Sequence, residues 1–278
     1  MQKANPLKQM LKIGLFRVYY YATSIPVPSP RRLSWGDWWL SWDDQLGRLI
    51  RTNSFERAET QLLRRILKPG MVMIDAGAHR GYYTLLASSI LGKDGTVISF
   101  EPSPRERQWL WMHLVVNGRK NVKIEKCALG SKEETAEFFI SLGKQTGCNS
   151  LRYPKGVKYS LPIQVPVVTL DYYDQHSGMN CLDLLKMDLE GAEKEVLIGG
   201  QGCIQKNRPV IICELSDLRT LRWKYHPIEA EKILERFGYS CYFIKPDCHL
   251  EPHKEKSVYE DNLLAIPREK RDAFRGMI

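Results

Sequence analysis

The stretch MVMIDAGAHRGYYTLLAS, from Met71 to Ser88, constrains the fold of this chain more than any other. A short apolar strand ends in an acid, Asp75, turns through Gly77 and Gly81, and enters an apolar helix near Tyr82. Glycines at such a turn let the backbone approach a ligand closely, because a Cβ would fill that space. The helix start behind them offers unpaired N–H groups. Around this unit strands and helices alternate, which predicts a Rossmann-like, doubly wound and mostly parallel sheet. Strands are expected at Val72–Asp75, Val97–Glu101, Val122–Lys126, Leu184–Asp188 and Val210–Glu214. Cys241–Lys245 and Leu263–Ile266 would complete seven strands, the last pair antiparallel. Helices are expected at Phe55–Leu67, stopped by Pro69-Gly70, and at Tyr82–Leu91, Arg105–Asn117, Glu193–Gln205 and Ile228–Phe237.

Asp75 stands ahead of the glycines, where a carboxylate repels a pyrophosphate but attracts an amine or a sulfonium. Gly77 and Gly81 are four apart, and the G-x-G-x-x-G phosphate fingerprint is absent. A second acid, Glu101, ends the next strand in TVISFEPSP, about 20 residues past the glycine turn, where a carboxylate commonly holds a ribose diol. The pair favours S-adenosylmethionine over a dinucleotide, with one acid near the methionine end and one on the ribose. Ligands of such sheets bind at the carboxyl ends of the strands where strand order reverses. That rule collects Asp75, Glu101, Asp188 and Glu214 on one rim.

DAGAHRGYYT (Asp75–Thr84), FEPSP (Phe100–Pro104), CALG (Cys127–Gly130), VPVVTLD (Val165–Asp171), KMDLEGAE (Lys186–Glu193) and NLLAIP (Asn262–Pro267) follow one another in the order of a known family. Through them the chain resembles the FkbM-type S-adenosylmethionine-dependent methyltransferases over about Phe55–Pro267. The resemblance implies a class I methyltransferase fold. It also implies cofactor contacts from Asp75, Gly77, His79, Gly81, Glu101, Pro102, Ser103, Cys127, Ala128 and Asp188, and it makes Glu190 a site candidate. A sugar, glycan precursor or related metabolite as acceptor rests on the resemblance alone. The family usually carries Asn-Ile where this chain has His79-Arg80.

The reaction so implied is in-line displacement at a sulfonium methyl, so the protein must align the acceptor and manage its proton. A hydroxyl attacks more easily when a carboxylate or histidine accepts that proton. Asp188 is the first choice, with Glu190 and Glu214 as alternates. His79 is the weaker base and is expected at the carboxylate of the methionine moiety. A divalent cation held by Asp188 and Glu214 is the competing mechanism, not favoured. Glu190 and Glu193 also open a helix, where acids serve as caps.

Charge is uneven. Residues 1–70 hold twelve Lys/Arg and five Asp/Glu, or +7 of the net +9, and no acid precedes Asp37. Leu7–Ala22 places Leu7, Met10, Leu11, Leu15, Val18 and Tyr19 near one helical face, with Lys8, Lys12 and Arg17 outside it. Such a helix packs on the domain or lies on an anionic membrane, so peripheral contact through residues 1–22 is an expectation beside a cytoplasmic location. Arg17 interrupts the apolar run, which argues against a signal peptide or a spanning segment. Pro26, Pro28 and Pro30 mark a linker, and WGDWWLSW (Trp35–Trp42) is read as packing in preference to sugar stacking. Residues 1–53 thus read as a helical extension and 54–278 as the catalytic domain, with a β-rich insertion near 135–170. The middle of the insertion, Gly143–Gly156, reads as a mobile loop. Seven cysteines without a C-x-x-C pair suggest reduced thiols, and Cys248, His249 and His253 suggest a polar loop rather than a metal site. A nicotinamide reductase lacks its fingerprint here. A nucleic-acid methyltransferase lacks the usual Pro-Pro-aromatic or Pro-Cys element, and a non-catalytic scaffold would have lost the rim acids.

Overall fold

The computed structural model describes residues 28–41, 44–142, 147–154, 157, 159–252 and 259–278 of the 278-residue chain. The amphipathic segment Leu7–Ala22, Trp42, His253 and parts of the Gly143–Gly156 loop lie outside the described residues. In chain order the strands are β1 (Ser29–Arg32), β2 (Trp38–Ser41), β3 (Val72–Ala76), β4 (Thr96–Phe100), β5 (Val122–Glu125), β6 (Ala128–Leu129), β7 (Glu134–Ser141) and β8 (Ser160–Val168). β9 (Leu184–Met187), β10 (Val210–Ser216), β11 (Tyr239–Ile244), β12 (Leu250–Pro252) and β13 (Glu260–Pro267) follow.

The main sheet runs β12-β11-β13-β10-β9-β3-β4-β5. The seven expected strands are all in it, but the sheet is mixed and has an eighth strand. β12 adds to the edge through Ile244↔Leu250 to Tyr242↔Pro252, and with three residues it offers no periodicity to read. β5, β4, β3, β9 and β10 are parallel, and β13 runs antiparallel to both β10 and β11. The inner parallel strands β3, β4, β9 and β10 are mostly buried apolar runs because helices cover both faces, whereas the edge strand β5, VKIE, is only half-buried. β9 is buried throughout, Lys186 included. β3 has β4 on one side and β9 on the other, so strand order reverses beside its carboxyl end.

The helix Tyr82–Leu91 begins at Gly81, whose φ of +88° suits glycine. The helix Pro104–Val116 is opened by Ser103, whose hydroxyl takes the Glu106 N–H, with proline at the first helical position. The expected helix Glu193–Gln205 is two helices, Glu193–Gly199 and Gln201–Asn207, joined at Gly200. A Cβ on Gly199 would come within 2.2 Å of the Gly130 carbonyl, so the glycine pair lets the chain close on the β6 loop and costs the helix its continuity.

β6, β8 and β7 form a separate three-stranded sheet with Phe138, Ile140 and Val165 as its own small core. β1 and β2 form a hairpin where a linker was expected. Pro30 is tolerated there because a two-stranded ribbon leaves one side of each strand unpaired. Trp39 is buried, stacks on His113 at 3.9 Å and also borders the cavity at the sheet's carboxyl edge, and Trp35 meets Tyr82 edge-on. The Cys248 thiol is buried and donates to the Ala58 carbonyl. Among the described residues no helix is long and apolar enough to cross a membrane.

Candidate active site

A cavity of about 300 Å³ opens at the carboxyl ends of the central strands. Asp75, Gly77, His79, Glu101, Pro102, Ala128, Asp188, Glu190 and Glu214 all line it. Gly81, Ser103 and Cys127 are not among its lining residues. A Cβ on Gly81 would meet the Leu110 side chain at 2.2 Å, and one on Gly77 would meet the Asp188 carbonyl at 2.0 Å. The room these glycines provide is therefore taken by protein atoms, not left for a ligand.

One end of the cavity is organised by Glu101, which follows β4 and is 3% exposed. Its carboxylate accepts the His79 N–H at 2.7 Å and the Ser103 N–H at 2.8 Å, and the second lone pair of each oxygen stays available. Burial pushes this carboxyl up to about 8, although the two N–H groups pull the other way. His79 adopts φ +50°, a conformation asparagine reaches more readily, and its ring lies 3.6 Å from Glu106 behind the wall. Arg80 is buried on Asp44 at 2.5 Å, which ties the departure from the family pattern to this chain's N-terminal segment.

Next along the floor, Asp75 is 1% exposed; its Oδ2 accepts the Thr84 hydroxyl at 2.6 Å, and its buried Oδ1 has no hydrogen-bond partner. Burial raises its pKa, against the pull of Lys186. Lys186 is the register neighbour of Asp75 across β3 and β9, and lies 3.6 Å from Asp188 and 4.5 Å over the Tyr83 ring. Burial alone would lower its pKa, but Asp188, Asp75 and Glu56 outweigh it and hold the ammonium charged. Glu56, at φ +34°, precedes the helix Arg57–Ile66 without capping it, and its carboxylate takes the Tyr83 hydroxyl instead.

At the other end, Glu190 accepts a hydrogen bond from Arg222 at 3.0 Å and forms an ion pair with Arg219 at 3.2 Å, and Arg219 also pairs with Glu214. Glu214 lies inside β10, which runs two residues further, and does not end its strand as expected. Guanidinium groups thus pair with both acids, and among the described residues no group of three or more His, Cys, Asp and Glu is arranged for a metal ion. Glu193 takes the Leu189 N–H at 2.8 Å and fixes the loop ahead of its helix, which is the capping role. Asp188 follows β9 with its side chain 35% exposed.

Sequence reasoning missed Glu56, Lys186, Arg219 and Arg222. A charged residue inside the apolar run LLKM was the available signal for Lys186. The arginines lie on a short helix, Asp217–Thr220, and a following turn that no periodicity marks.

The fold is a doubly wound α/β domain with a cavity at the switch point of its central sheet. The family described as "Methyltransferase FkbM domain" matches residues 75–241, and the chain belongs to it. It is 26% identical over 173 residues to the 2-O-methyltransferase NoeI of Sinorhizobium fredii (strain NBRC 101917 / NGR234), covering 58% of this chain and 70% of that protein. It is 28% identical over 145 residues to Methyltransferase 1 of Beauveria bassiana (strain ARSEF 2860), covering 46% of this chain and 57% of that protein. Among solved structures it is similar to a methyltransferase FkbM from Methylobacillus flagellatus KT, with a TM-score of 0.45 and 16% identity over 81% of this chain and 56% of that one. A TehB-like SAM-dependent methyltransferase from Corynebacterium glutamicum aligns with a TM-score of 0.46 and 11% identity, over 79% and 93%. The protein is an S-adenosylmethionine-dependent methyltransferase.

Proposed function

We propose that this enzyme methylates oxygen, on a hydroxyl of a sugar, glycan precursor or related metabolite, within a catalytic domain spanning residues 54–278. The observation that carries the reading is the state of the rim carboxylates: guanidinium groups hold Glu190 and Glu214, while Asp188 faces the cavity beside Lys186. The name of the Sinorhizobium relative, a 2-O-methyltransferase, supports oxygen as the acceptor atom.

The cavity residues fit the methyl donor. The orphaned Asp75 oxygen suits a cationic amine or sulfonium, and Glu101 has lone pairs left for a ribose diol. S-adenosylmethionine supplies an already activated methyl group. Asp75 and Glu101 set the position of that methyl, which is most of what the protein must do for an in-line displacement. Asp188 takes the proton of the acceptor hydroxyl as its oxygen attacks, and Glu190, clamped by two arginines, shapes the acceptor side. The test combines calorimetry with S-adenosylhomocysteine and a labelled-methyl assay across a sugar panel. Asp188→Asn is expected to keep cofactor affinity and lose most turnover; full activity in that variant with a confirmed acceptor refutes the assignment.

A further inference from the structure

Glu56 is unused by the mechanism above, and four observations set it apart. It lines the cavity. Its backbone sits at φ +34°, where a non-glycine residue is strained, and such strain persists where surrounding structure demands it. It stands at the N-cap of the helix Arg57–Ile66 yet makes no side-chain cap bond, so its carboxylate is turned away from the role its position offers. The Tyr83 hydroxyl holds it in place instead.

Charge arithmetic gives that placement a purpose. Asp75 on β3, Asp188 after β9 and Glu56 surround the single ammonium of Lys186. Tyr82 and Tyr83 face Glu56 from the helix Tyr82–Leu91, and Glu59 faces it from its own helix. Three carboxylates against one ammonium leave this pocket short of positive charge. A protonated carboxyl or an incoming cation can make up the difference.

We propose that Glu56 is a cation-responsive member of the methyl-donor site: the positive end of the donor settles against the Glu56 and Asp75 carboxyls, and the Glu56 carboxyl gives up its proton to solvent as it does so. The proposal rests on the reading of the cavity as an S-adenosylmethionine site. Burial raises the free carboxyl to about 7, with Lys186 pulling it down and Asp188 pushing it up, so the exchange falls within the working pH range. The sign follows. Below that midpoint the donor must displace a proton to bind, and above it the site is already ionised. Donor affinity therefore rises about tenfold from pH 6 to pH 8 and levels off beyond. S-adenosylhomocysteine lacks the sulfonium charge, so its affinity depends less on pH and the exchange favours donor over product.

The experiment is calorimetry of the full chain with S-adenosylmethionine and with S-adenosylhomocysteine, at pH 6, 7 and 8, each in two buffers of different ionisation enthalpy. Wild type is expected to release a fraction of a proton at pH 7 on binding the donor, and a smaller fraction on binding the thioether. Glu56→Gln, which keeps an acceptor for Tyr83, is expected to lower the release on donor binding to that seen with S-adenosylhomocysteine, the remainder coming from Glu101 on the ribose, while still binding the donor. Binding with no proton release in wild type, or with equal release in Glu56→Gln, overturns the role of Glu56 and leaves the cofactor assignment standing. Absence of binding by well-folded wild type overturns both.

Discussion

Removing Glu101 tests the ribose end of the site most directly. In the free protein its two oxygens accept the His79 and Ser103 N–H groups at 2.7 and 2.8 Å, in a place where the side chain is 3% exposed. Glu101→Ala orphans both donors. Each buried N–H left unpaired costs about 1–3 kcal/mol, and water entering the emptied cavity recovers part of that, so a stability loss of about 2–4 kcal/mol is expected. Above pH 8, where this carboxyl is ionised, the ribose contacts are charge-assisted, and their loss should weaken S-adenosylhomocysteine by a further 2–3 kcal/mol or so, roughly 30- to 150-fold in Kd. Glu101→Gln separates the two effects, because the amide keeps one acceptor for the loop but presents a neutral group to the diol. Its melting temperature should lie nearer wild type than that of Glu101→Ala, while its affinity remains depressed. Thermal unfolding and calorimetry on the three proteins decide the matter. Wild-type affinity in a stable Glu101→Gln would show that this carboxylate holds the turn alone and that the ribose assignment is wrong.

Burial raises Glu56 and Glu193 to about 7 and Glu101 to about 8, so the stability these groups contribute in protonated form is present in acid and lost as pH rises through 7 and 8; the melting temperature of the free protein should fall from pH 6.5 to 8.5, and an unchanged value would contradict the burial argument. Arg219→Met frees Glu214 and Glu190 from their shared guanidinium, and should raise the KM for the acceptor while leaving S-adenosylhomocysteine affinity within about threefold; a selective loss of cofactor binding would move Arg219 to the other end of the cavity. Chelator should leave turnover unchanged if Asp188 is the base, whereas silencing that Mg²⁺ or Mn²⁺ reverses would favour a cation held by Asp188 and Glu214. If residues 1–22 contact membrane, binding to anionic vesicles should fall steeply with salt and disappear on their deletion, with cofactor affinity retained; equal vesicle behaviour of the two proteins supports packing.

What the amino-acid order determined by itself was local and periodic. The apolar runs that end at Asp75 and Asp188 and precede Glu101 placed the parallel strands, and glycine between strand and helix marked the turn, because burial on both faces and left-handed backbone leave a signature in few residues. The rim acids were legible for the same reason: a carboxylate at the end of an apolar run stands out. Tertiary structure decided the rest. Only the fold showed that Gly77 and Gly81 yield to the Asp188 carbonyl and Leu110, that Glu193 serves its own loop, and that Glu190 and Glu214 are claimed by arginines from a segment without periodicity. It also brought Glu56, more than a hundred residues away in sequence, to the same cavity as Lys186 and Asp188. The state of a carboxylate depends on which charges and donors surround it in space. That is settled by packing between distant elements, and no spacing along the chain records it.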